Sequence, residues 1–538
     1  MRLLTPEWMR QQRVSLFTEN AITMMKQHIV PSRRLQWMGL ALLFAVSTTG
    51  ATITGQERAQ APKRQPLLDA GGYVKEDQYI VPDLPDTDKA YAKIDGLKMK
   101  ALVNEIVAIS RKSRDDGNKY WGRIAGTKYE AMTADLLEAK FRKLGMTDIN
   151  RPEFPLRPQW FPTDWDVSAS GGGKTLTFSS LRPALGSKAT PPAGLDVDAV
   201  WVGLGTAADF AGRDVRGKAV VIHTMLSPGQ MGQSAIAEGA FKRATEAGAA
   251  AIIGVWGYYD NMAVWQGLGG GFASPNSPPG FFVGFEDGKK LRDLIGAGPT
   301  RVKMTLKTEE RENLKSVSIW GTLPGTTDET IIVMAHMDGW FDAALDNASG
   351  LSVMLTLAEH FAAVPKEKRR RSMLFIGTAG HHVGSPNATY LRDKRPDLLA
   401  KTALMINCEH VSATQTLNWG TNLRRSTAVW PRRWNVNGSA KLTDTVLAAY
   451  KTFGVGVVGD MDPTATGEMG AIFRLAPSLQ VIRSPELKHT DADVPEMVPA
   501  VGLASVGRAF AKIVDEVNKL DRKVLLPESP TTTAAPGR

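Results

Sequence analysis

Six of the eight histidines in this 538-residue chain fall between residues 336 and 489, and five of those six lie in short clusters of potential ligands: His336-Met337-Asp338, His381-His382, Glu409-His410 and His489-Thr490-Asp491. Neutral imidazole and carboxylate oxygen are the ligands zinc accepts when thiolate is absent, and one carboxylate can bridge two metals through its two oxygens. Cys408 is the only cysteine, which excludes an intrachain disulfide and a cysteine-based zinc finger. Any metal must therefore be held by His, Asp and Glu. Asp346 is the natural bridge. It opens Asp346-Asn347-Ala348-Ser349-Gly350, where a loop turns into a helix, so its side chain stays outside the helix while the helix N-terminus favours negative charge. An isolated Asp there is an ordinary cap, and the surrounding histidines are what make it a ligand candidate. Asp338, two residues beyond His336, is placed to accept the proton on the imidazole nitrogen turned away from a metal, fixing the tautomer.

Residues so far apart in sequence can meet only if a sheet brings them together. Apolar runs at Ile331 to Ala335, Met373 to Ile376, Ala403 to Ile406 and Leu479 to Ile482 alternate with helical patterns, which predicts strand-helix-strand units and a largely parallel sheet. His336 follows the first run, His381 and His382 the second, Glu409 and His410 the third, and His489 the fourth. Open parallel sheets collect their ligands beyond the carboxyl ends of the strands. Leu351, Met354, Leu355, Ala358 and Phe361 share one helical face after the first run. Further helices are predicted over Met99 to Ser110, Tyr129 to Leu144 and Glu496 to Leu520. Strand alternation would turn His410 away from Glu409 and give it a structural role; His360 and His223 also read as structural.

The texture changes to short β-rich runs broken by glycine between Trp165 and Lys315, read as an inserted domain. Within it, Trp256 to Gly280 is rich in Gly, Pro and aromatics, either a lid or substrate-facing loop or a plain surface excursion. The expected division is a leader and linker over 1–64, the first part of the main domain over 65–164, the insertion over 165–315, the second part over 316–525 and a disordered tail over 526–538. Nine Lys or Arg and three Glu lie in residues 1–64 and account for six of the ten net positive charges. The rest of the chain shows no basic cluster interleaved with aromatics, so no nucleic-acid partner is expected. Arg33 and Arg34 before the apolar run Trp37 to Val46 predict a signal sequence and a periplasmic or secreted protein, with an uncleaved anchor as the alternative. The run is too short for a stable membrane span. No Gly-x-Ser-x-Gly elbow or phosphate-cradling loop accompanies a usable strand and helix.

Taken with Leu323-Pro324-Gly325 ahead of the first strand, the Asp346 to Gly350 motif and His489-Thr490-Asp491-Ala492-Asp493, these residues resemble the metallopeptidase family 28, which includes bacterial aminopeptidases and glutamate carboxypeptidase. The likeness runs from about Lys98 to Leu520. Val215-Arg216-Gly217-Lys218, Ala247-Gly248-Ala249-Ala250 and Val283-Gly284-Phe285-Glu286 resemble a protease-associated domain. The resemblance implies an α/β zinc exopeptidase fold: a mixed, largely parallel sheet flanked by helices, with an inserted β-rich protease-associated domain. It implies that His336 and Glu409 bind one zinc, Asp346 bridges, and His489 binds a second, with a peptide or small protein as substrate. Where the family has two adjacent glutamates, a general base and a metal ligand, this chain has His381-His382. His382 can stand in as the ligand, and His381, with Asp338, makes up the expected catalytic pair. A shift of one residue would make His381 the ligand and leave no base. Two ligand carboxylates instead of three would also weaken the second site, so one zinc is the alternative to two. Glu468, in Thr466-Gly467-Glu468-Met469-Gly470, resembles a family segment near the site or is a solvated loop carboxylate. The implied function is exopeptidase hydrolysis, aminopeptidase-like, by a metal-bound water; the alternative is an inactive member that binds peptide or protein.

Overall fold

The structure, a computed structural model, describes residues 72–224, 239–258, 260–268, 277–419, 422–462, 464–483 and 487–527. The expected leader, part of the loop expected between Trp256 and Gly280, and all but the first two residues of the expected tail lie outside the described residues.

Two helices precede the sheet. Asp95 caps α1 (Gly96–Asp115) by accepting from the Lys98 amide, and α2 (Lys128–Lys143) buries Tyr129, Glu130, Thr133, Ala134, Leu137 and Phe141 along one stripe. The main sheet has seven strands: β1 (Thr147–Asn150), β2 (Ile319–Leu323), β3 (Thr330–His336), β4 (Ser372–Thr378), β5 (Thr402–Cys408), β6 (Arg433–Asn437) and β7 (Ser478–Ile482), in the spatial order β1-β2-β4-β3-β5-β7-β6. The central four, β4, β3, β5 and β7, run parallel, and the outer pairings are antiparallel. Every residue of β3, β5 and β7 is buried, as expected of parallel strands covered on both faces and written as unbroken apolar runs. Helices α3 (Gly350–Ala362) and α4 (Ala500–Asn518) pack against each other and against the sheet. This is the α/β architecture expected from the sequence, with each predicted strand within two or three residues of its observed ends.

A second sheet of eight strands is built wholly from residues between Gln159 and Arg311. Four adjacent strands, Leu195–Trp201, Ala219–Thr224, Ala251–Trp256 and Gly280–Val283, are parallel, with the helix Ala240–Glu246 between the second and third and Phe285–Ala297 after the fourth. The segment is rich in strands, but its centre is itself an α/β layer. Phe161, Leu185 and Trp265 from this segment pack in one apolar cluster with Ile124, Trp340 and Phe341.

One buried cation fixes the turn that follows β3. Arg123 is fully buried and donates to the carbonyls of Met337 (2.8 Å), Asp342 (3.1 Å) and Ala343 (3.1 Å) and to Ser110 Oγ (2.6 Å) on α1. Burial pulls its pKa down to about 10, opposed by the carboxylates of Asp338 and Asp493, so it stays charged at neutral pH. Arg123→Met would leave these carbonyls buried without a donor, at about 1–3 kcal/mol for each one left unsatisfied. Guanidinium unfolding of the metal-free variant should therefore show a loss of about 3 kcal/mol or more; a loss under about 1 kcal/mol would mean the turn holds itself.

Candidate metal centre

The carboxyl ends of β3, β4, β5 and β7 open on one place, and the clustered histidines meet there around Asp346. Asp346 Oδ1 lies 3.0 Å from His336 Nε2 and 2.9 Å from His410 Nε2, while Oδ2 lies 3.0 Å from His489 Nε2 and 3.4 Å from His382 Nε2. Glu409 Oε1 stands 3.7 Å from His381 Nε2 and 3.9 Å from His410 Nε2. All of these residues are buried except His381, which is intermediate although its side chain is only 7% exposed.

Several polar contacts hold Asp346 in position. Asp493 accepts from the amides of Leu345 (2.6 Å) and Asp346 (3.1 Å). Asn347, joined to Asp346 by a cis peptide bond, donates from Nδ2 to the Cys408 carbonyl (2.8 Å) and accepts on Oδ1 from the amides of Gly350 (3.1 Å) and His410 (3.2 Å), tying the Asp346 turn to the end of β5. A methyl group at Gly350 would stand 2.0 Å from the Cys408 carbonyl oxygen, so only glycine lets α3 start this close to β5. Gly467, at φ +63°, approaches Glu409 in the same way: a methyl there would sit 2.2 Å from Oε2. The same oxygen, Glu409 Oε2, accepts from Asn407 Nδ2 (2.8 Å) and Gln480 Nε2 (3.4 Å). Glu130 on α2 accepts from the Gly380 amide (3.1 Å) and so anchors the turn that carries His381 and His382.

The tautomers decide what this cluster can hold. His336 Nδ1 donates to the Asp338 main-chain carbonyl (3.1 Å), and His382 Nδ1 donates to Asp338 Oδ2 (2.8 Å). Both partners only accept, so in the neutral rings Nε2 carries a lone pair turned toward an oxygen of Asp346. His336 Nε2 and both Asp346 oxygens are buried without a hydrogen-bond partner. Lone pairs facing lone pairs at about 3 Å repel unless a proton or a metal cation lies between them. Burial opposes charging His336, but Asp338 and Asp346 outweigh it and hold its pKa up at about 10. His382 is raised too, with Asp338 and Asp346 again overcoming burial. Burial keeps His410 and His489 below the ordinary imidazole value, the latter well below. Burial also opposes ionisation of Asp346, yet the imidazoles of His410 and His382 leave its carboxyl well below the usual range. The site therefore calls for positive charge that burial keeps two of its imidazoles from carrying. Imidazole nitrogen and carboxylate oxygen are donors that fit a divalent transition metal, zinc among them. Two sets of ligand atoms lie within 4.8 Å of one another on opposite sides of Asp346: His336, Glu409 and His410, and Asp346, His382 and His489.

One expectation changes. His410 is not turned away: β5 ends at Cys408, and His410 adopts φ +49°, so strand alternation no longer governs its direction. Asp338 stands beside His336 Nδ1 as expected, through its main-chain carbonyl (3.1 Å) and through Oδ1 (3.5 Å), and its carboxylate also accepts from His382 Nδ1 and from the amides of His381 and His382, both at 3.0 Å. Of the two readings of Glu468, the one near the site holds: it is fully buried, with Oε1 3.4 Å from His381 Nδ1, and burial pushes its carboxyl up to about 7 against the pull of His336. His381 stacks on His336 with ring centroids 4.1 Å apart, and burial together with His336 holds it well below the usual imidazole value. His360 and His223 lie elsewhere, against Tyr91 and between Trp201 and Phe285.

A cavity of about 560 Å³ reaches this centre at His382, lined there by Tyr120, Trp160 and Trp340 and farther out by Arg157 and Lys188. The expected loop contributes to its surroundings, because Trp265 donates its amide to the His489 carbonyl (3.0 Å) and Val264 pairs with Thr490.

Parallel strands that deliver a His and carboxylate centre at their carboxyl ends define the zinc exopeptidase fold, and solved structures of that type align along most of the chain. A peptidase M28 precursor from Shewanella amazonensis SB2B matches 82% of this chain and 99% of its own at TM-score 0.64 and 18% identity. The zinc aminopeptidase BSAP from Bacillus subtilis matches 83% and 99% at TM-score 0.57 and 21% identity. Residues 318–469, which carry every residue of the centre except His489, match the model of Peptidase family M28. In sequence, aminopeptidase YwaD of Bacillus subtilis (strain 168) is 30% identical over 262 residues, covering 47% of this chain and 50% of YwaD. The probable glutamate carboxypeptidase VP8 of Zea mays is 29% identical over 120 residues, 21% of this chain and 17% of VP8. The chain spans about half the length, or less, of these curated relatives.

Asp338→Asn would give the His382 ring and the two amides above it a single weaker acceptor. Zinc affinity, measured by chelator competition, should fall about 10- to 100-fold. An unchanged affinity would mean that the carboxylate does not orient the ring.

Proposed function

We propose that this protein is a metal-dependent exopeptidase of the aminopeptidase type that hydrolyses peptide bonds near a chain end. The convergence of His336, His382, His410 and His489 on the two oxygens of Asp346 carries this reading. Zinc bound among His336, Asp346, His382, Glu409 and His489 would supply Lewis-acid polarisation of a peptide carbonyl and a water acidic enough to attack at neutral pH. The protein's own residues do the rest. Asp338 and Asp493 fix the orientation of His382 and the position of Asp346. His381, in the place of the family's base, accepts the proton that the attacking water gives up, and Glu468 behind its Nδ1 stabilises the imidazolium that results. The aromatic walls at Tyr120, Trp160 and Trp340 and the size of the cavity suit a short peptide segment beside His382.

Residues 165–315 act in this reading as a protease-associated insertion whose Leu185, Ser187, Lys188, Thr308 and Glu310 form the outer wall of the cavity. Export to the periplasm or beyond is the accompanying proposal. It is supported by the apolar run Trp37 to Val46 behind Arg33 and Arg34 and by the precursor form named for the Shewanella protein. No helix among the described residues is long and apolar enough to cross a membrane.

Full-length protein assayed on aminoacyl and acyl-blocked peptides should release N-terminal residues only when loaded with zinc and should spare the blocked peptides. His381→Ala should lower kcat by about 100-fold or more while leaving the zinc content unchanged. Zinc-loaded wild type that turned over none of these substrates would contradict the proposal.

A further inference from the structure

The two sides of Asp346 are not equivalent, and the difference lies in His410. On the Oδ1 side, His336 Nε2 at 3.0 Å and His410 Nε2 at 2.9 Å are joined by Glu409, whose Oε1 is 3.9 Å from His410 Nε2. A tetrahedral zinc with bonds of about 2.0–2.1 Å to N and O holds its ligand atoms roughly 3.3 Å apart, close to these separations. Counting the Asp346 oxygen, that position has four protein donors. On the Oδ2 side, His382 and His489 are the two imidazoles within reach, which gives three protein donors.

Access follows the same division. His336 and His410 are 0% exposed and Glu409 1%, and none of the three lines the cavity that reaches the centre. His382 does line it, beside Trp340 and Tyr120, and a smaller space bounded by Asp338, Trp340 and His382 adjoins it. Filled tetrahedral sites with four protein ligands are characteristic of structural zinc, whereas a site with three protein ligands keeps a position for water or substrate.

Building on the metal-centre reading, we propose that His410 is a metal ligand that completes a four-donor position with His336, Glu409 and Asp346. This metal is buried and coordinatively filled, and it fixes the Asp346 carboxylate from behind. The position made by Asp346, His382 and His489 keeps the open coordination and faces the cavity. His410 therefore supplies a donor that makes the pair of positions unequal: one holds the architecture and the other meets ligands.

The test is metal retention and cobalt spectroscopy on the full chain, neither of which depends on turnover. Wild type dialysed against a fixed zinc buffer should retain two zincs. His410→Ala and the near-isosteric His410→Gln should each lose one, with at least about tenfold weaker retention, while the circular dichroism of the metal-free variants stays that of the wild type. In the cobalt forms, acetohydroxamate should shift the visible bands of His410→Ala, whose remaining metal lies at the open position. It should leave those of His382→Ala unchanged, because there the remaining metal is fully ligated by protein. Either His410 variant holding two metals as tightly as wild type overturns the proposal, since His410 would then only donate a hydrogen bond to Asp346. A hydroxamate shift in His382→Ala, or a wild type that holds a single zinc, overturns it as well. A protein with two unequally held metals and no peptidase turnover would sink the proposed function and leave this inference standing.

Discussion

A single buried carboxylate, Asp346, faces four imidazoles at about 3 Å, and for two of them the Nδ1 hydrogen bonds leave Nε2 to meet it through either a proton or a bound cation. In a water-excluded site such an arrangement is costly unless cations lie between the groups. The rest of the site can be understood as what is needed to hold it. Asp493 fixes the Asp346 backbone, Asn347 ties that turn to β5, Arg123 fixes the turn after β3, and Glu130 anchors the turn after β4. Each restraint comes from a different part of the chain, so the centre forms only when the whole domain folds.

The sheet was legible because its physics is one-dimensional. Strands β3, β5 and β7 are covered on both faces, so each is written as a short unbroken apolar run, and a ligand that follows such a run must lie at its carboxyl end. That reasoning located His336, His381, His382, Glu409 and His489, and it placed Asp346 at the start of α3. What escaped it were features that depend on contacts between strands or on irregular backbone. The direction of His410 turns on a left-handed residue just past the strand end, and the periodicity of β5 says nothing about it. The choice of His382 as the partner of Asp338 follows from the parallel register that sets His336 opposite Thr378, which the sequence does not record.

Glu468 shows the same limit in a loop. Nothing in Thr466-Gly467-Glu468-Met469-Gly470 distinguishes a solvated carboxylate from a buried one, and only the close approach of Gly467 to Glu409 shows that this turn is pressed into the centre. The outer wall of the cavity was equally hidden. It is built by residues of the second sheet segment, so the cavity lining is shared between parts of the chain separated by more than a hundred residues. In the proposed function the Glu468 and His381 pair, 3.4 Å apart, is what would carry proton transfer.

The central claim is that cations occupy the space between Asp346 and its surrounding imidazoles. Anomalous diffraction at the zinc absorption edge, from crystals of the full chain grown with zinc, tests it most directly. The account predicts strong peaks within bonding distance of Asp346, one beside His336 and Glu409 and one beside His382 and His489. A map with no peak between these side chains, or with zinc bound only elsewhere on the protein, would contradict it.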